Sequence, residues 1–272
     1  MKKEELVYIP IDEKKNLLNI SDEKNLSSVD REILGVIVKD IAKILPGGKG
    51  RIYIRGSLAY GRFLEGISDM DMVVVTDNIT PESEKALEQL ISEYNKKYAD
   101  RYGIVDISYY PEDVFKDPKN NRLLMNILFT GILLYENDLC LKLPTLSFSK
   151  ELQKRIASQT LDDCRATLKT IENHTPVTYM DKQRGADFLC VWFMRDFCRG
   201  LIALVMNKKE VFSLNVSTCC YEFAKTFPDY EDFVLELWEL ERKPCNNWNT
   251  LAAIAKNALD VYEKLIKEEG IF

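Results

Sequence analysis

Two aspartates, Asp69 and Asp71, stand one residue apart in Ser68-Asp69-Met70-Asp71, directly before the apolar run Met72-Val73-Val74-Val75. A strand repeats every two residues, so a strand here projects both carboxylates from one face. Two such charges repel unless a cation sits between them. Hard oxygen ligands at this spacing suit Mg²⁺ carrying a nucleoside triphosphate. Upstream lies Arg55-Gly56-Ser57. The alternating Arg51-Ile52-Tyr53-Ile54 predicts a half-buried strand that Gly56 stops. Ser57 then starts a short turn or helix through Leu58-Ala59-Tyr60. Glycine admits a phosphate close to the backbone, and a helix start offers it unpaired N–H groups. Arg55 and Arg62 flank this turn and are suited to neutralising phosphate charge. The plain alternative is that either is a surface residue or an ion-pair partner of Glu65. Arg55, on the strand before the glycine, is the one expected to point away.

Gly-Ser followed by Asp-x-Asp inside an apolar strand resembles the polymerase-β-like nucleotidyltransferase superfamily, and the resemblance covers residues 30 to 135. The family places a third carboxylate on a later strand, and Asp106 in the alternating Ile104-Val105-Asp106-Ile107-Ser108-Tyr109 fits it. The resemblance implies that a hydroxyl attacks the α-phosphorus of an NTP and pyrophosphate leaves. It implies that Asp69 and Asp71 hold Mg²⁺, with Mn²⁺ as the substitute, and that Asp106 is either the third ligand or the base. Gly56 and Ser57 would bind the β- and γ-phosphates. ATP is the expected donor.

The elements that must position these residues alternate. Ser27 opens a helix whose apolar side repeats through Ile33, Ile37 and Ile41 until Pro46-Gly47-Gly48 stops it. Thr80-Pro81-Glu82 opens another, running to Tyr98. A helix from Arg122 to Phe129 and a return strand from Gly131 to Tyr135 follow. This is an α/β (α+β) domain with a small mixed sheet. The expected organisation is an N-terminal arm (1–26), a catalytic domain (27–145) and an all-helical bundle domain (146–272). In the last, Lys150 to Asn173, Met180 to Asn207, Ser217 to Phe227, Tyr230 to Arg242 and Trp248 to Glu268 read as helices, with no convincing strand.

Lys182, Arg184, Arg195 and Arg199 interrupt the long apolar helical stretch. Lys182 and Arg195 are candidates for the γ-phosphate or the acceptor; salt bridges to Asp187 and Asp196 are the plainer reading. Trp192, Phe193 and Phe197 read as core. Residues 229–241 hold six acids and no base, a solvated face that would also suit a cationic acceptor. The single histidine, His174, reads as a loop residue, because Lys169 stands at the spacing where a helical nuclease motif needs arginine.

The chain has 272 residues, 46% of them hydrophobic, enough for a substantial core. A net charge of -6 disfavours a broad nucleic-acid surface. The first residues lack the apolar run of a signal peptide, and no stretch is long enough for a membrane span. Seven cysteines without a CxxC pair read as reduced thiols of a cytoplasmic protein. The expectation is thus a cytoplasmic Mg²⁺-dependent transferase moving an NMP from ATP onto a small-molecule hydroxyl. A layout of catalytic domain and then helical bundle resembles the aminoglycoside adenylyltransferases. The rival readings are a related enzyme that modifies tRNA or protein, and a catalytically silent nucleotide-binding module.

Overall fold

A computed structural model describes residues 6–77, 79–116, 121–137, 143–179 and 182–272. The chain divides into two compact units, one of residues 17–145 and one of residues 1–16 with 146–272.

The first unit is built on a four-stranded mixed sheet. Its helices and strands, in order, are α1 (Ser28–Ile44), β1 (Gly50–Arg55), β2 (Met70–Val75), α2 (Pro81–Lys97), β3 (Val105–Tyr110), α3 (Asn121–Thr130) and β4 (Ile132–Asn137). The sheet order is β3-β2-β1-β4. β1 runs antiparallel to both β2 and β4, whereas β2 and β3 are parallel, joined through α2. The α1 start is a capping box of Ser27 and Asp30. Thr80 accepts from the Ser83 N–H at the head of α2, with Pro81 in the first turn.

The two faces of the sheet bury different sets. Ile52, Ile54, Met72, Val74 and Ile107 pack with Ile37 and Ile41 of α1 and Leu87 of α2. Tyr53, Val73 and Val75 point the other way, onto Phe115 and onto Leu124 and Ile127 of α3. Period-two alternation fills both faces because helices cover both.

The second unit comprises α4 (Lys150–Glu172), β5 (Val177–Tyr179), β6 (Lys182–Arg184), α5 (Ala186–Gly200), α6 (Ile202–Lys209), α7 (Val216–Thr226), α8 (Glu231–Arg242) and α9 (Trp248–Glu268). It is helical except for the antiparallel β5–β6 pair, part of which falls where the sequence predicts a helix starting at Met180. Lys182 and Arg184 therefore lie on a strand and do not interrupt an apolar helix. The signal is Val177-Thr178-Tyr179, a β-branched and aromatic run behind Pro176. α4 and α5 approach closely at Gly200, where an added Cβ would sit 2.2 Å from Thr160 Cγ2.

Residues 6–16 belong with the helices. The Val7 N–H donates to Thr218 Oγ1 at 2.8 Å, the Ile9 N–H to the Phe212 carbonyl at 2.9 Å, and the Tyr8 hydroxyl to Glu222 at 2.5 Å. Residues after 16 join the sheet unit, where the Ile20 N–H donates to the Phe129 carbonyl at 2.9 Å. Among the described residues, six cysteines are free thiols and no helix is long and apolar enough to cross a membrane.

Candidate active site

Three neighbouring strands deliver three charged side chains in a row. Antiparallel register sets Arg55 opposite Asp71, and parallel register sets Asp71 opposite Asp106. Residues opposed in register share a face, and this is the face that α3 covers further along. That face is apolar over Tyr53, Val73 and Val75 and charged at its other end.

The Arg55 Nη2 lies 3.2 Å from Asp71 Oδ1, whereas the Arg55 Nε is buried and has no partner among the described residues. Arg55 therefore points into the site, contrary to expectation; direct pairing with Asp71 decides its face. Burial pushes the Asp106 carboxyl above the ordinary carboxylate range, and the neighbouring charge of Asp71 pushes it the same way. Arg55 and the Ser108 hydroxyl, which donates to Asp106 Oδ1 at 3.3 Å, pull it back only in part. Ser108 is legible as a site neighbour, since it stands two residues along the strand from Asp106.

Gly56 ends β1 with φ +76°. A Cβ there would lie 2.6 Å from Asp71 Oδ2, so only glycine leaves this carboxylate its place. Ser57 to Gly61 form turns rather than a helix, closed by the Ala59 N–H donating to the Gly56 carbonyl and the Arg62 N–H to that of Ser57. Leu58 and Ala59 are buried and anchor the turn to the core. The N–H groups of this segment are thus presented by turns and not by a helix N-terminus.

Asp69 lies just before β2 and is exposed. Its Oδ1 lies against Gly103, where a Cβ would be 2.9 Å away. Among the described residues no three acidic, histidine or cysteine side chains converge closely enough to hold an ion unaided. Asp71 and Asp106 form the close pair, and their hard oxygens are the donors Mg²⁺ takes.

The loop carrying Asp69 is pinned by the segment before β3. The Gly66 N–H donates to the Arg101 carbonyl at 2.7 Å, and the Gly103 N–H to that of Ser68 at 3.0 Å. Arg101 also binds Glu65 at 2.8 Å and, through two nitrogens, Asp30. Glu65 thus has Arg101 as a partner.

Residues 35–134 match the family described as nucleotidyltransferase domain. These residues are a nucleotidyltransferase domain of the polymerase-β-like superfamily. The chain has no match among curated proteins. Its fold is similar to the crystal structure of spectinomycin adenyltransferase AAD(9) from Enterococcus faecialis with ATP and spectinomycin. The TM-score is 0.53 at 15% sequence identity, over 85% of this chain and 99% of that one. The likeness extends to the expected layout of catalytic and helical parts.

Of the remaining expected site residues of the nucleotidyltransferase, Arg62 is exposed on the turn. Arg195, on α5, binds Glu241 of α8 at 2.9 Å. Lys182 falls on β6, and its side chain lies outside the described residues. Phe193 and Phe197 are buried as expected, but Trp192 is 45% exposed, packed edge-on against Tyr179 and Phe188. His174 follows α4 with φ +49° and stacks on Trp248.

Proposed function

We propose that this chain moves an NMP, AMP from ATP, onto a hydroxyl of a small-molecule acceptor and releases pyrophosphate. The observation that carries the reading is the direct opposition of Asp71 and Asp106 beside Gly56 within a nucleotidyltransferase domain. A half-buried pair of like charges destabilises a fold that has no use for it. The choice of ATP and a small acceptor draws support from the similar fold of a spectinomycin adenyltransferase, solved with ATP and spectinomycin.

In this reading Asp71 and Asp106 would hold Mg²⁺, with Asp69, just before β2, as the further carboxylate. Mg²⁺ supplies neutralisation of charge on the attacking and leaving oxygens. Gly56 and Ser57 take the β- and γ-phosphates on their backbone N–H groups and the Ser57 hydroxyl. The acceptor oxygen forms a bond to the α-phosphorus as the bond to the β-phosphate oxygen breaks. Asp106 takes the acceptor's proton on the carboxylate oxygen that does not face the ion. The chain acts in the cytoplasm.

The test is label transfer. The protein is incubated with Mg²⁺, spectinomycin or a panel of aminoglycosides, and ATP labelled at the α- or the γ-phosphorus. The reading requires the α-label in the acceptor and the γ-label in pyrophosphate. A γ-label in the acceptor would make it a kinase. An α-label migrating with RNA or protein from a lysate would replace the small acceptor by a macromolecule.

A further inference from the structure

Arg55 has no part in the chemistry just described, yet it is the cation that meets the carboxylate pair. We propose that Arg55 is a built-in counter-cation that holds down the site's affinity for a free divalent ion, so that the ion enters preferentially with the triphosphate. The inference rests on the reading of Asp71 and Asp106 as cation ligands.

Three observations carry it. First, Arg55, Asp71 and Asp106 are register partners across β1, β2 and β3, so the backbone pairing itself places the guanidinium beside the pair. Secondly, the contact is a single one: Nη2 to Asp71 Oδ1 at 3.2 Å, with Nε buried and without a partner among the described residues. A structural arginine in the same unit looks different. Arg101 grips Asp30 with two nitrogens at 2.9 and 2.7 Å and Glu65 with a third. Planar two-point binding is what arginine does when it serves as a fastener. Thirdly, Asp71 has little room to turn away, because its Oδ2 occupies the space beside Gly56, 2.6 Å from where a Cβ would stand.

The physical consequence follows from charge. A divalent ion arriving alone at Asp71 meets the positive charge of Arg55 close by and must share the carboxylate with it. An ion arriving with a triphosphate brings anionic oxygens, and Arg55 then has a second anion to bind. Arg55 therefore opposes the free ion and tolerates the nucleotide complex. It acts through Asp71 as a positioning residue.

The experiment is Mn²⁺ binding to the full chain by calorimetry and by loss of the free-ion electron paramagnetic signal. Wild type is compared with Arg55→Met, Arg55→Gln and Arg55→Lys, each with and without a non-transferable ATP analogue. Removing one positive charge at this range should tighten free Mn²⁺ binding about tenfold in Arg55→Met and Arg55→Gln, with Arg55→Lys near wild type. The gain should shrink or reverse when the analogue is present. Two neutral variants guard against one failing to fold, and melting curves accompany both. Equal or weaker free Mn²⁺ binding in the neutral variants, with wild type binding the ion, overturns the inference and leaves the active-site reading standing. No Mn²⁺ binding by any form, with or without the analogue, overturns both.

Discussion

Asp30 and Asp106 belong to the same unit and meet opposite fates. Asp30 is almost fully buried, at 2% exposure, and every oxygen has a partner. Oδ1 accepts from Arg101 Nε, Arg101 Nη2 and the Tyr102 hydroxyl, and Oδ2 from Ser27. Burial alone would raise its pKa, but the hydrogen bonds from Ser27, Tyr102 and Arg101, with the Arg101 charge, bring it below the ordinary value. Asp106 is less buried, yet burial and the Asp71 charge leave its pKa raised. Its one described donor is the Ser108 hydroxyl, at a long 3.3 Å. A buried acid that holds a fold together is fully partnered, whereas Asp106, opposite Asp71, is left in want of positive charge. That want is the physical signature of a site.

Substitutions on the two sides of this contrast should separate activity from stability. Asp71→Asn should lower α-label transfer on the order of 10³-fold, the scale of losing one preorganised electrostatic group. Its melting temperature should stay near wild type. Parallel loss of transfer and of folding would erase the contrast. Asp30→Asn reverses the pattern. It faces the Ser27 N–H with an amide that cannot accept in the same way, and it leaves Arg101 with only the exposed Glu65 as a charge partner. Breaking so buried a pair should cost about 3 kcal/mol, read by denaturant unfolding. A loss under about 1 kcal/mol, the scale of an exposed pair, would show that Asp30 is no fastener.

Gly56→Ala links the two sides. Positive φ and the approach of Asp71 Oδ2 both oppose a side chain. The expected cost is about 1–2 kcal/mol of stability. Transfer should fall more steeply than stability, because Asp71 is the residue displaced. Retained transfer would show that Asp71 need not sit where Gly56 lets it.

The smallest effects are in the pH dependence of stability, where the two acids should differ in sign. Asp30 has a depressed folded pKa, so its contribution is present above the unfolded pKa and is lost as pH falls through the folded one. The deficit of Asp30→Asn should therefore shrink in acid. Asp106 has a raised folded pKa, so ionising it costs stability as pH rises through that value. Asp106→Asn should melt at or slightly above wild type at neutral pH, and the difference should vanish in acid. The same sign for both would remove the distinction.

The sheet unit is readable in the sequence because its rules are local. Period-two alternation marks β1 and β3, apolar runs mark β2 and β4, Ser27 and Thr80 mark helix starts, and Pro46-Gly47-Gly48 marks a stop. The direction of Arg55 is not readable, because strand parity says only that Tyr53 and Arg55 share a face. Which face Arg55 shares with Asp71 depends on register between β1 and β2, and the intervening loop hides that register. The Glu65–Arg101 pairing is hidden for the same reason, since it joins two loops distant in sequence. The β5–β6 hairpin is masked by the apolar residues that follow it, which pull the helix reading too far upstream.

The most direct test of the account is a paired measurement on Asp106→Asn at neutral pH: thermal melting beside α-label transfer from ATP. The account predicts a melting temperature equal to or above wild type together with transfer reduced at least about a hundredfold, the lower end of what a positioned base contributes. A variant that melts several degrees lower, or one that transfers label at the wild-type rate, would contradict it.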